Sequence, residues 1–275
     1  MTHASEKDVH SPLRRFLSRF ARNKNPSGGG EPIRIDAGFR SWDDAKKNVA
    51  GYESECFFER VRNAAEAVAD GKAVYERESV VFDKIQYSWP LLASLLFAAA
   101  NLRRLRLIDF GGLGTSFRQN RKFLTALEIP CEWRIVEQRQ LVEIGRREFT
   151  SKYITFYNSI GEALKDGVDA VLFSGVLGYL ENPYRILSEA IESGAPCIIL
   201  DRTRVTLEAN DIFAVQHVPP SIYEASFPLR AFNYNNLLSP LREHYEVVEE
   251  WASEVQPGLQ TTGMGFLLRR RQGPA

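Results

Sequence analysis

The chain has 275 residues, 44% hydrophobic and 25% charged, which matches an ordinary globular protein and excludes disorder over most of its length. Lys plus Arg and Asp plus Glu each total 35, so no overall field recruits nucleic acid, and a small-molecule partner is expected. Cys56, Cys131 and Cys197 are far apart and form no Cys-x-x-Cys pair, which argues against a disulfide framework and a zinc ribbon and for a reducing, cytoplasmic location.

His3 and His10 fall in the first ten residues, leaving His217 and His244 for the folded part, so no metal centre is expected. Residues 1–30 read as a flexible basic tail ending in Pro26-Ser27-Gly28-Gly29-Gly30, with no secretory signal. Within it Leu13, Phe16, Leu17 and Phe20 recur at helical spacing among arginines. That pattern suits weak peripheral contact with an anionic membrane, or docking on the chain's own domain or a second subunit.

Residues 31–102 read as a helical N-terminal lid segment. Ser41-Trp42-Asp43-Asp44 starts one helix with a capping hydroxyl, Ser54 to Gly71 forms a second, and Ser88 to Asn101 a third. The run from Trp89 to Leu102 carries Pro90, Ser94 and Asn101 and is too short for a membrane span, so it is a buried helix.

From residue 103 to 275 short apolar runs alternate with amphipathic segments. Leu105 to Phe110, Glu132 to Glu137, Tyr153 to Asn158, Val168 to Phe173 and Pro196 to Asp201 predict five parallel strands joined by helices. A long irregular stretch follows, then a helix over 233–243 and strands over 244–251 and 263–270. The link between the last two is too short for a crossover helix, so they pair antiparallel. The class is α/β, a Rossmann-like doubly wound sheet of seven strands, mostly parallel with a C-terminal antiparallel pair.

The first strand ends in Asp109-Phe110-Gly111-Gly112-Leu113-Gly114 and leads into a helix. Glycines let a ligand approach the backbone, and the helix start offers free N–H groups. Glu137 ends the second strand 23 positions after Gly114, near the offset at which an acid meets a ribose diol, so the pair indicates a nucleoside cofactor. A nicotinamide fold would want a third glycine at Phe117 of Gly112-Leu113-Gly114-Thr115-Ser116-Phe117, which disfavours an oxidoreductase.

An acid two residues before the first glycine, the antiparallel finish and the stretch from Val171 to Pro183 resemble class I S-adenosylmethionine-dependent methyltransferases. Trp42-Asp43-Asp44-Ala45, Gly51-Tyr52, Tyr75 to Asp83, Gln86-Tyr87-Ser88-Trp89, Asp109 to Gly112, Gln119 to Leu124, Asp201-Arg202-Thr203 and Val218 to Tyr223 narrow this further. They are similar to a methyltransferase family associated with surface-polysaccharide gene sets, over about residues 39 to 270. The resemblance implies S-adenosylmethionine as cofactor, with Asp109, Gly111, Gly112, Gly114, Glu137, Ser159 and Ser174 around it. It further implies a small-molecule acceptor such as a sugar or nucleotide-sugar. The glycine loop departs from the family's acid-x-Gly-x-Gly-x-Gly by one residue, and that departure motivates the alternative of a non-catalytic scaffold.

Ligands of such sheets lie beyond the carboxyl ends of the strands, which selects His217, Asp201 and Tyr223 as candidate catalytic residues. His217 serves either as base for a hydroxyl acceptor or as a loop histidine bonded to nearby backbone. Arg202 offers a fork for an acceptor phosphate or carboxylate, or an ion pair to a neighbour. Tyr87 either closes over the acceptor as part of the lid or packs the N-terminal segment onto the sheet.

Overall fold

The computed structural model describes residues 33–49, 55–77, 80–220, 224–255 and 258–272. The basic tail, Gly51-Tyr52 and Tyr223 lie outside them. The elements are β1 (Arg34–Phe39), α1 (Trp42–Lys46), α2 (Glu55–Ala69), β2 (Tyr75–Arg77), β3 (Val80–Phe82) and α3 (Trp89–Ala99). There follow β4 (Leu105–Phe110), α4 (Thr115–Thr125), β5 (Cys131–Val136), α5 (Arg139–Glu148), β6 (Ile154–Tyr157), α6 (Ile160–Ala163) and β7 (Ala170–Ser174). After a 3-10 turn at Leu177–Tyr179 come α7 (Pro183–Glu192), β8 (Cys197–Thr206), β9 (Ile212–Val218), β10 (Ala225–Asn233), α8 (Tyr234–Arg242), β11 (Tyr245–Ala252) and β12 (Thr262–Arg270).

Seven strands run side by side as β6-β5-β4-β7-β8-β12-β11. The first five are parallel and the last two antiparallel, as the alternating apolar runs predict. The capping signal at Ser41 acts where expected, accepting from Asp44 N; Ser54 lies outside the described residues, and Ser88 caps α3 in the same way by accepting from Leu91 N. Because β5 and β6 lie on one side of β4 and β7 on the other, the connections leave a crevice above the carboxyl ends of β4 and β7.

Both faces are covered. Leu187 and Ala190 of α7 and Leu237, Leu238 and Leu241 of α8 pack on Ile108, Val171, Ile198 and Phe266. On the other face Leu91 and Leu95 of α3, Phe117 and Leu124 of α4 and Leu141 of α5 pack on Leu107, Trp133, Leu172 and Ile199. Each buried leucine contributes about 1.5–3 kcal/mol, so the crevice rests on a rigid floor.

The stretch after Asp201 is not irregular. It forms a hairpin, β9 with β10, and β10 joins β8 through Phe232↔Val205 and Asn233↔Thr206. Pro228 inside β10 masks the strand signal; it is paired with Val215 of β9, and a proline can stand where no second neighbour needs its N–H. The N-terminal segment holds three strands besides its helices: β1 extends the main sheet against β9, and β2 pairs with β3. The main sheet thus has ten strands.

Candidate functional site

The turn after β4 is built on glycines with φ of +100° at Gly111, +84° at Gly112 and +94° at Gly114. At Gly114 a Cβ would stand 3.0 Å from Ile154 and 3.3 Å from Ile135, so its absence lets α4 start close to the sheet. At Gly112 a Cβ would meet nothing within 4 Å, so this residue keeps the backbone open toward the crevice. The loop closes in this geometry despite its shorter spacing. Gly111 N donates to Val136 O at 2.9 Å, and Arg118 of α4 donates to Leu113 O at 2.8 Å.

Glu137 follows β5 and accepts from Gly112 N at 3.0 Å and from Gln138 N. Burial pushes its pKa up and the two N–H bonds oppose that, so the carboxylate is held at the mouth of the glycine turn. Asp109, 2% exposed, instead faces the side covered by α3, α4 and α5 and accepts from Trp133 Nε1 at 2.7 Å. Desolvation raises its pKa to about 7 against the bonds from Trp133 and Ser116 and the charge of Arg202. Ser159 caps α6 by accepting from Glu162 N at 3.1 Å. With Phe110, Asn158 and Leu180 it lines a cavity of about 370 Å³ beside the turn.

Ser174 ends β7 in register with Asp201 of β8 and donates to its carboxylate at 3.0 Å. Asp201 is 1% exposed and accepts also from Trp251 Nε1 at 3.3 Å. Burial raises its pKa, and Arg202 is the largest opposing influence. The structure thus brings Ser174, Asp201 and Arg202 together, and separately Gly112 with Glu137.

The remaining candidates are placed elsewhere. His217 lies on β9 with Nε2 3.1 Å from Asp36 Oδ2, while its neighbour Gln216 accepts from Tyr179 on the opposite face of the hairpin. Tyr87 stacks on Trp89 at 4.9 Å and meets Phe123 and Lys122 of α4. The N-terminal segment reaches the glycine turn through other residues: Thr115 donates to Glu76, and Gln119 donates to the carbonyl of Gln86. Glu76 is buried at the start of α4, where the helix dipole favours a carboxylate and no side chain of α4's own cap serves.

Trp133, Trp251, Glu76 and Arg118 are the residues that sequence reading did not select. The pairing register of β5 and β11 is what brings the two indoles to the two aspartates, and no local pattern encodes it. Glu76 had one signal, its place in the Tyr75 to Asp83 stretch that carries the family resemblance.

No family model and no curated protein matches the chain. Solved structures do. An S-adenosylmethionine-dependent methyltransferase from Methanosarcina mazei is 13% identical over 64% of this chain and 96% of its own, with a TM-score of 0.46. The protein PH0226 from Pyrococcus horikoshii is 11% identical over 66% and 89%, TM-score 0.42. The glycopeptide N-methyltransferase MtfA, crystallised with S-adenosyl-L-homocysteine, is 15% identical over 70% and 94%, TM-score 0.41. At these values the likeness concerns the course of the chain and carries no residue role across.

Proposed function

We propose that this protein is an S-adenosylmethionine-dependent methyltransferase acting on a small-molecule acceptor, in the class of sugars or nucleotide-sugars. The observation that carries the reading is the Gly112–Glu137 pair at the mouth of the crevice: an open backbone turn with a carboxylate fixed beside it. That donor set fits a nucleoside with a ribose diol, and the cavity beside Ser159 gives its base a place. Glu137 would take the ribose hydroxyls, Asn158 and Ser159 the base, and the glycine turn the backbone of the cofactor.

The cofactor brings an already activated methyl group, so the protein's work is to align the acceptor and exclude water. A hydroxyl acceptor also needs a base. Asp201, buried, with a raised pKa and bonded to the half-buried Ser174 hydroxyl, is suited to draw a proton through Ser174. A second reading of the base is favoured by the His217–Asp36 pair, in which a carboxylate orients an imidazole.

Titration calorimetry with S-adenosylhomocysteine tests the proposal. Saturable binding that competes with S-adenosylmethionine is expected; absence of binding by folded protein would leave only the scaffold reading.

A further inference from the structure

We propose that the small cavity between the end of β8 and the turn after β7 is an oxyanion site, in which Arg202 and Arg204 grip a carboxylate or phosphate group of the acceptor. The inference deepens the methyl-transfer reading and rests on it for the word acceptor; the anion site itself stands on the geometry of β8.

That geometry is a bulge. Leu200 pairs with Phe266 and Thr203 with Met264, so Asp201 and Arg202 together stand opposite the single residue Gly265. Arg202 takes φ of +51°, a region that non-glycine residues rarely adopt. The inserted residue shifts the alternation of the strand, so that Asp201 and Arg204 emerge on one face. Without it Asp201 and Arg204, three positions apart, would emerge on opposite faces.

The neighbours are shaped around Arg202. Its Nη2 donates to Ser174 O at 3.4 Å, and its Nε lies 3.9 Å from Asp201 Oδ2. A Cβ on residue 175 would stand 2.9 Å from the guanidinium, so Gly175 is the residue that leaves it room. Arg204 is buried and held by Thr261 Oγ1 at 2.9 Å. Both arginines line a cavity of about 30 Å³ together with Gly175, Tyr179, Leu229 and Glu254.

Thirty cubic ångströms is about the share of one water-sized group. The cavity therefore admits one oxygen of the oxyanion head and leaves the rest of the acceptor outside. Planar guanidinium forks match that head. Glu254 is the acidic member of the lining and is exposed, so an incoming anion displaces it toward solvent.

The test measures binding of glucose 6-phosphate, glucuronate and neutral glucose to the full chain by calorimetry or ligand-observed NMR, at low and high salt. Both anions are expected to bind and glucose not to, with affinity falling as salt rises. The stronger of the two anions identifies the preferred head group. Arg204→Met should weaken the anions at least about ten-fold, the loss of a charge-assisted bond. Glu254→Gln should tighten them several-fold, and being exposed it keeps the protein folded if Arg204→Met does not. Equal binding of glucose and the anions, or an affinity that Glu254→Gln and Arg204→Met both leave unchanged, overturns the proposal. S-adenosylhomocysteine binding is measured on the same samples. Its presence without anion binding removes the anion site alone, and anion binding without it removes the methyl-transfer reading alone.

Discussion

The indole N–H of Trp133 donates to the carboxylate of Asp109 across 2.7 Å, joining the second strand of the parallel sheet to the last buried acid of the first. The acid has a folded-state pKa of about 7 against an ordinary value of 3.8. A raised carboxylate pKa stabilises the fold fully below about pH 4, and that contribution is lost as pH rises toward 7, then stays lost. Asp109→Asn keeps an oxygen for Trp133 and cannot ionise. Its stability relative to the parent protein should therefore rise by roughly 1.4 kcal/mol per pH unit between pH 5 and 7 and level off above. Urea melts at pH 5, 6, 7 and 8 read this directly, and a pH-independent difference would falsify the assignment.

Glu137→Gln leaves one oxygen for Gly112 N and removes the charge that meets a ribose diol. Affinity for S-adenosylhomocysteine should drop by about 1.5–3 kcal/mol, the value of hydrogen bonds to a charged group. The melting temperature should change little. Calorimetry beside a thermal melt separates the two effects.

Gly112→Ala places a methyl group in open space at φ of +84°. The backbone strain costs roughly 1–2 kcal/mol of stability, and the methyl group projects toward the ligand. Cofactor affinity should fall by at least ten-fold in a protein that still folds; unchanged affinity would mean that the turn does not touch the ligand.

Gly265 on β12 lies under the indole of Trp251, where a Cβ would stand 2.1 Å from the ring. Gly265→Ala must push Trp251 away from Asp201. Overpacking costs typically about 1–3 kcal/mol, and the lost donor to a buried acid adds a comparable amount. A lower melting temperature with an altered near-ultraviolet tryptophan signal is expected, and a native-like spectrum would show that the strand pair adapts without moving the ring.

With an acceptor found by screening, Ser174→Ala and Asp201→Asn should lower turnover by about 10²–10⁴, the usual contribution of a positioned base, with S-adenosylhomocysteine affinity kept. His217→Ala should stay within ten-fold of the parent protein and cost at most about 1 kcal/mol, as for other partly exposed polar contacts. A large loss in His217→Ala alone would transfer the base role to the His217–Asp36 pair.

The sequence by itself determined which segments form the seven strands and that five are parallel with an antiparallel pair at the end, because buried parallel strands such as Leu105–Phe110 and Ala170–Ser174 are continuous apolar runs and the link before β12 is too short for a helix. It also determined the glycine turn and the acid that follows β5, since both depend on residue type at fixed offsets from strand ends. Tertiary structure alone decided what the polar residues do. Asp109 meets Trp133, Asp201 meets Trp251 and Glu76 meets Thr115 across 24, 50 and 39 positions, through register and packing that no local periodicity records. It also decided the β9–β10 hairpin, which Pro228 and Arg230 disguise, and the bulge at Arg202, where one extra residue in β8 turns a side chain that the sequence leaves free to point either way.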